Sequence, residues 1–507
     1  MHSGKSKVFI KIATLLLCGW VFLSASPHVA AQGVDLQAKS RQGAELMRTR
    51  RFAEAIPIYR EMVKALPDNP GLIMNLGLSL HFTERFRESI PQFEKVLKLD
   101  PKQDAAWFFL GTSHFRLGEA ARAVEPLRKA VRAQSDNIEA REMLADTLLG
   151  LERFEQAEGQ FKKLTELEPQ NAAAWYGLGL CYEGLAAHSF AKIEELAPES
   201  GYLFALLAAS RSERQRSSSY FFYRKALEQM PNLHGVHTAV AEIYRATGHE
   251  DWAAAEEEKE RRLPPPDCAV GKLECDFWAG RFQELLEAAP KQGRTAETHY
   301  WLSRAYGRLA YESFNRLEEL PDSAQRHARS ARINRNQGRH LESAREWREA
   351  LKLQPGNSRF QEELVRSLRQ GRDYKSAQPL LEDLIKRQPE SAHMNFLMGD
   401  TLLNLQQAEE AIPYLNKASH DPMQLVARAS LGRAYILTNQ AEEAISHLKA
   451  ALSLDRDGNL HFQLARAYQR TNQRDLAREM LAEYQKIRKS QTEQRRAAEE
   501  AVQITAP

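Results

Sequence analysis

Residues 70–103 read PGLIMNLGLSLHFTERFRESIPQFEKVLKLDPKQ, and their pattern predicts two short amphipathic helices joined at HFTERF. Apolar and small residues recur at helical spacing, which places each set on one helix face. The first set is Ile73, Leu76, Gly77 and Leu80, and the second is Ser89, Phe93 and Val96. Pro101 is expected to end the second helix, because proline cannot continue the helical hydrogen bonding. The stretch is therefore predicted to be one helix-turn-helix unit.

The same pattern returns at intervals of 33 or 34 residues along much of the chain. Regular units begin near Leu36, Pro70, Asp104, Ile138, Ala324, Ser358, Ala392, Leu425 and Gly458. This period is typical of the tetratricopeptide repeat, and the units resemble that family over residues 36–488. The resemblance implies an all-α solenoid, wound as a right-handed superhelix. Small residues such as Gly111 and Ala123 are expected where the two helices of a unit approach closely.

Two units depart from the pattern in the same way. The unit from Ala172 lacks a turn, which predicts one long helix to about Leu196. The unit from Ala296 repeats this spacing, and SFAKIEEL at 189–196 matches SFNRLEEL at 313–320, an offset of 124 residues. The repetition indicates a second long helix and a block of sequence used twice.

These features predict two sub-arrays separated by a Pro-rich break. In the helix before the break, Glu257 and Glu260 occupy positions that are apolar in regular units, so we expect a solvated face there. The expected segments are a signal peptide at 1–31, an N-terminal array at 36–263 with its long-helix unit at 172–199, the break with a shortened unit at 264–295, a C-terminal array at 296–488 with its long-helix unit at 296–323, and a polar tail at 489–507.

The N-terminus has the pattern of a secretory signal. Three lysines precede an apolar run from Ile12 to Ala25, and small residues precede an expected cut at Gln32. This predicts export across the inner membrane, to the periplasm, with no stable membrane insertion after cleavage. An uncleaved N-terminal anchor is the alternative, which the shortness of the apolar run disfavours.

The charge balance and the cysteines narrow the function further. Outside the signal segment the chain carries 67 basic and 67 acidic residues, which argues against a nucleic-acid partner. Cys268 and Cys275 are seven residues apart and could form a disulfide in an oxidising compartment, with free thiols as the alternative. Cys181 is expected to remain a semi-buried thiol.

No motif indicates catalysis or a cofactor. The sequence lacks a phosphate-binding loop, a dinucleotide fingerprint, HExxH, CxxCH and GxSxG. His234 and His237 lie three apart on one predicted helix, but no third ligand is evident, so no metal site is predicted. We therefore expect a protein that is not an enzyme and that binds no cofactor.

The family resemblance implies that the first helix of each unit lines a concave groove, where certain positions meet the ligand. In the first half these positions are largely apolar: Met74, Leu78, Phe108, Thr112, Tyr176, Leu180 and Phe204. In the second half one position forms an arginine track, interrupted only by Asp400: Arg304, Arg332, Arg366, Arg433 and Arg466. Such a track suits acidic groups of a partner. Surface arginines that only pair with nearby glutamates are the alternative.

The resulting hypothesis is a protein–protein interaction scaffold of the bacterial cell envelope that binds a protein partner, as a peptide or helix, in the groove. The alternative is an accessory protein for polysaccharide export or glycan handling, which should show exposed aromatic platforms. The tryptophans are mostly at predicted core positions, which disfavours the alternative: Trp107, Trp175, Trp301 and Trp347.

Overall fold

The computed structural model describes residues 27–211, 215–421 and 424–507. Regular structure in these residues is entirely helical, with 26 α-helices and two short 3-10 turns. The predicted all-α helical repeat fold is confirmed. The chain divides into two compact units, residues up to Leu151 and residues 152–507. The predicted break at 264–295 lies inside the second unit and stays a prediction.

The first unit contains seven described helices. They are α1 (Pro27–Arg48), α2 (Phe52–Ala65), α3 (Pro70–Phe82), α4 (Phe86–Leu99), α5 (Asp104–Arg116), α6 (Ala120–Ala133) and α7 (Ile138–Gly150). The α3–α4 pair begins at Asn69, whose side chain accepts a hydrogen bond from the Leu72 amide at 3.1 Å. Gly77 permits close packing, because a Cβ there would lie 2.8 Å from the Phe93 ring. Small residues therefore set the helix spacing, as the sequence predicts.

The second unit contains nineteen described helices. The N-terminal ones are α8 (Phe154–Leu167), α9 (Ala172–Leu196), α10 (Gly201–Ala209), α11 (Arg216–Gln229), α12 (Val236–Ala246), α13 (Glu250–Arg262), α14 (Lys272–Trp278) and α15 (Phe282–Ala288). The others are α16 (Ala296–Glu319), α17 (Ala324–Asn336), α18 (His340–Leu353), α19 (Ser358–Gln370), α20 (Tyr374–Arg387), α21 (Ala392–Asn404), α22 (Ala408–Ser419), α23 (Leu425–Leu437), α24 (Ala441–Ala451), α25 (Asn459–Arg470) and α26 (Arg474–Ala501).

The two long helices, α9 and α16, pack against each other. Their contacts run in opposite order along the two helices, so the pairing is antiparallel. Tyr176 lies 6.2 Å from Phe314 between ring centroids, and Ser303 Oγ donates to the Ala186 carbonyl at 3.1 Å. Between these contacts Tyr182 stacks on Tyr306, again at 6.2 Å. These two tyrosines are equivalent under the 124-residue offset, so the repeated block packs on its own copy.

The acidic residues of α13 are placed differently from the solvated face that the sequence predicts. Glu260 accepts hydrogen bonds from the amides of Gly235, at 2.7 Å, and Thr238, at 3.3 Å, at the start of α12. Glu256 is 1 % exposed and accepts hydrogen bonds from Lys259 and from the His237 ring. Carboxylates therefore help to join α13 to α12, because the unpaired amides at the start of a helix stabilise negative charge.

The predictions for the cysteines and for the signal peptide can be compared with the structure. Cys268 and Cys275 form a disulfide with an S–S distance of 2.07 Å, and Cys181 is buried and is not part of a disulfide. The signal peptide prediction falls mainly on residues 1–26, which lie outside the described residues. None of the described helices combines the length and the apolar content needed to cross a bilayer.

Candidate functional site

The predicted arginine track lies on the first helices of successive units in the second half of the chain. Its members fall on α16, α17, α19, α23 and α25. Their surroundings separate them into two groups, which we call the inner arginines (Arg304 and Arg332) and the outer arginines (Arg366, Arg433 and Arg466).

Arg304 is enclosed by aromatic side chains. Its guanidinium carbon lies 4.2 Å from the ring centroid of Phe277 and 5.0 Å from that of Trp278. Its Nη1 donates to the Tyr300 hydroxyl at 3.1 Å. Cation–π contacts of this kind stabilise a desolvated guanidinium. Arg304 therefore joins the shortened unit at 264–295 to α16.

Arg332 is committed to an ion pair with the first long helix. Its Nη2 lies 2.5 Å from Glu183 Oε2, and Arg329 approaches the other carboxylate oxygen at 3.3 Å. Arg329 also stacks over Phe314, with its guanidinium carbon 3.7 Å from the ring centroid. Burial lowers the pKa of Arg329, and the charge of Glu183 opposes that effect. The two arginines thus tie α17 to the α9–α16 pair.

The outer arginines face solvent. Arg366 is 52 % exposed and makes a 3.3 Å ion pair with Glu363 on its own helix. Arg433 and Arg466 are exposed, and neither makes an ion pair within the described part of the chain. Helix α23, which carries Arg433, contacts both α21 and α25. Arg433 and Arg466 therefore lie on neighbouring helices and present donors to the solvent.

The acidic interruption of the track is neutralised internally. Asp400 on α21 forms an ion pair with Arg369 on α19. Both side chains are largely buried, at 23 % and 17 % exposed. The charge of Asp400 is thus compensated by Arg369, so it does not add an unpaired negative charge between Arg366 and Arg433.

The apolar groove residues of the first unit are unequally accessible. Met74 and Leu78 are half-buried, whereas Phe108 and Thr112 are buried. The Thr112 hydroxyl donates to the Phe108 carbonyl within α5, at 2.8 Å. Phe108 and Thr112 therefore belong to the packed interior and not to an open groove.

In the second unit the expected apolar groove is also partly covered. Tyr176 and Leu180 on α9 are 8 % and 7 % exposed, and the Tyr176 ring contacts Phe314 on the partner long helix. The family rule assumes a regular neighbouring unit, and the antiparallel α16 replaces it here. Phe204 is half-buried and stacks on Phe222, with 6.3 Å between ring centroids.

Two residues outside the predicted set make a notable contact. The hydroxyls of Tyr220 and Tyr244 hold the backbone carbonyl of Thr505, close to the C-terminus, at 2.9 and 2.7 Å. No periodicity or motif connects residues 285 positions apart, so sequence reasoning had no signal for this site.

The metal-ligating side chains of the described residues are scattered. No group of three or more metal-ligating side chains occurs among them. His234 bonds to Glu274 and to the Pro264 carbonyl, and His237 bonds to Glu256 and to the Pro231 carbonyl. A surface pocket lined by Phe282, Leu309 and Glu312 has a volume of about 180 Å³, below the usual range for ligand sites.

Comparison with known proteins places these helix pairs in a family. A tetratricopeptide repeat model matches residues 74–138, 142–189 and 362–424, and a second one matches residues 426–457. A MamA protein structure is 20% identical and covers 39% of this chain and 94% of its own, with a TM-score of 0.29. A tetratricopeptide repeat protein from Parabacteroides merdae is 12% identical, with coverage of 66% and 98% and a TM-score of 0.31.

A third similar structure is YrrB, described as a tetratricopeptide repeat protein with an unusual peptide-binding site. It is 17% identical and covers 41% of this chain and 92% of its own, with a TM-score of 0.23. The matched segments coincide with helix pairs seen in the structure, such as α3–α4 and α21–α22. The matched segments of this chain are therefore tetratricopeptide repeats.

Proposed function

We propose that the chain is a non-catalytic protein–protein interaction scaffold that binds an acidic peptide or helix at the outer arginines. The observation that carries this proposal is the contrast in pairing along one track. Arg433 and Arg466 are exposed and unpaired in the described structure, whereas Arg304 and Arg332 are engaged internally. Guanidinium groups offer paired donors that match a carboxylate, so unpaired arginines on adjacent helices suit acidic side chains.

We place this function in the bacterial cell envelope. The predicted signal at 1–31 supports export, and the disulfide between Cys268 and Cys275 suits an oxidising compartment such as the periplasm. Attaching alkaline phosphatase after residue 60 would test export, because that enzyme is active only where its disulfides form. Active fusions support the location, and inactive fusions that remain in the cytoplasm contradict it.

The glycan-handling alternative receives little support from the four tryptophans that the sequence analysis named. Trp301 and Trp347 are each 1 % exposed. The indole nitrogens of Trp107 and Trp175 donate to the carbonyls of Pro101 and Pro169, at 3.0 and 2.9 Å. Trp107 and Trp175 therefore fasten local turns, and the buried Trp301 and Trp347 do not form a stacking platform for a sugar.

The scaffold function can be tested by capture from a bacterial envelope extract. Wild-type protein and the Arg366→Glu/Arg433→Glu variant would be immobilised and their captured proteins quantified by mass spectrometry. We expect the variant to lose at least one abundant partner while its helicity is unchanged. Arg478→Glu is the matched control, because Arg478 is 78 % exposed on α26 and lies outside the track. Equal capture by all three proteins contradicts the proposal.

A further inference from the structure

The last residues of the chain return to the middle of the second unit. Helix α26 ends at Ala501, and residues 502–507, VQITAP, form the C-terminal segment. The Thr505 carbonyl accepts hydrogen bonds from Tyr244 Oη at 2.7 Å and Tyr220 Oη at 2.9 Å. The Thr505 hydroxyl lies 3.1 Å from Tyr220 Oη. The segment is therefore held mainly through one backbone carbonyl.

One apolar side chain anchors the segment. Ile504 packs against the cluster formed by α11, α12 and α13, whose buried members are Tyr220, Val240, Ala241, Ile243, Tyr244 and Ala253. Gln503, Thr505, Ala506 and Pro507 are exposed. The contact thus consists of a branched aliphatic residue in an apolar recess, followed by a carbonyl between two phenols.

The two tyrosines are well suited to receive a carbonyl group. They are 3 % and 0 % exposed, and their hydroxyls lie 3.0 Å apart. Burial raises the pKa of Tyr244, and the hydrogen bond with Tyr220 raises it further, so the phenol remains a donor. If the pair bonded only to each other, one of the two donors would lack an acceptor. A buried tyrosine hydroxyl normally has a partner.

This mode of recognition depends little on sequence. A backbone carbonyl is common to every peptide, and the side chains in contact are one branched aliphatic residue and the hydroxyl residue that follows it. An external segment with the same features can therefore replace the C-terminal segment.

We propose that Tyr220, Tyr244 and their apolar cluster form a docking site for an extended peptide with a branched aliphatic anchor. The chain's own C-terminal segment occupies this site as an intramolecular competitor. The partner is a protein with an exposed strand-like segment in which isoleucine precedes a small polar residue. The site shares no residue with the outer arginines, so its failure and that of the acidic-partner proposal are distinguishable.

A labelled peptide tests the docking site directly. Fluorescein-VQITAP would be titrated against the full-length wild type and the Ile504→Asp variant, in which the anchor becomes charged and leaves the apolar recess. We expect the variant to bind at least about tenfold more tightly, because the competitor no longer fills the site. Adding Tyr220→Phe and Tyr244→Phe to that variant should weaken binding about fivefold or more. Equal binding by the wild type and Ile504→Asp overturns the proposal.

Trimming by carboxypeptidase Y provides a second readout that does not change the segment itself. The Tyr220→Phe/Tyr244→Phe variant should lose its C-terminal residues at least about fivefold faster than the wild type, measured by intact mass. Tyr311→Phe is the control, because Tyr311 is 55 % exposed on α16. Equal trimming rates overturn the proposal. Protection that disappears on dilution would place the tail of a second copy in the site and overturn the intramolecular occupancy.

Discussion

Arginine has different roles at the joint between the long helices and at the outer positions of the track. At the joint, Arg329 and Arg332 share Glu183, and Arg329 also stacks over Phe314, so both charges help to hold α17 against α9. On α23 and α25, Arg433 and Arg466 remain exposed. A repeated position in a solenoid therefore has no fixed role, because the neighbouring unit decides whether its charge is structural or available.

The contrast between the inner and the outer arginines fails if Arg332 is dispensable for folding. We expect Arg332→Glu to lower the free energy of unfolding by about 3 kcal/mol, since two carboxylates would then face each other in a partly buried site. Urea denaturation followed by circular dichroism measures this. Arg466→Glu is the control at the equivalent position of an outer unit and should change the stability by less than about 0.5 kcal/mol. Equal losses in the two variants would remove the distinction.

The second prediction concerns the close approach of the long helices. A Cβ at Gly179 would lie 2.6 Å from the Phe314 ring, so Gly179→Ala should destabilise the protein by about 1 to 3 kcal/mol. Gly159→Ala is the matched control, because that glycine lies in α8 with no atom within 4 Å of an added Cβ. The control should be neutral or stabilising by up to about 1 kcal/mol, since alanine favours helix. Thermal unfolding of both variants distinguishes the outcomes. A stable Gly179→Ala protein would show that the joint is looser than described.

A smaller effect is expected from pH at the edge of the joint. Burial lowers the pKa of His327 on α17, but hydrogen bonds and charges of Glu346 and Asp322 outweigh it and raise the pKa above 6.5. The folded state therefore binds the proton more tightly than the unfolded state. This contribution to stability is complete below pH 6.5 and is lost as the pH rises through the folded-state pKa.

Denaturation curves at several pH values would measure this contribution. His327→Gln should reduce the fall in stability above pH 6.5. His420→Gln is the control, because His420 is exposed and its ring bonds to the backbone carbonyl of Asn416. An unaltered pH profile in the His327→Gln protein would contradict the assignment.

Local pattern predicted the fold because each helix pair repeats one spacing and ends at its own turn. The missing turn after Tyr182 likewise predicted a long helix, and α9 runs from Ala172 to Leu196. The pairing of α9 with α16 was not predictable, since nothing in a local period shows that residues 124 positions apart meet. That pairing buries Tyr176, which the family positions assigned to a groove. Arg304 likewise could not be placed, because two of its aromatic neighbours, Phe277 and Trp278, come from the irregular shortened unit.

The most direct measurement of the central claim is the affinity of an acidic peptide for the outer arginines. Fluorescein-labelled decaglutamate would be titrated by anisotropy, at low salt, against the wild type, Arg433→Glu/Arg466→Glu and the Arg478→Glu control. We predict that the double variant binds about tenfold or more weakly, that the control stays within about twofold, and that the wild-type affinity falls as salt is added. Equal affinity of the wild type and the double variant would contradict the account.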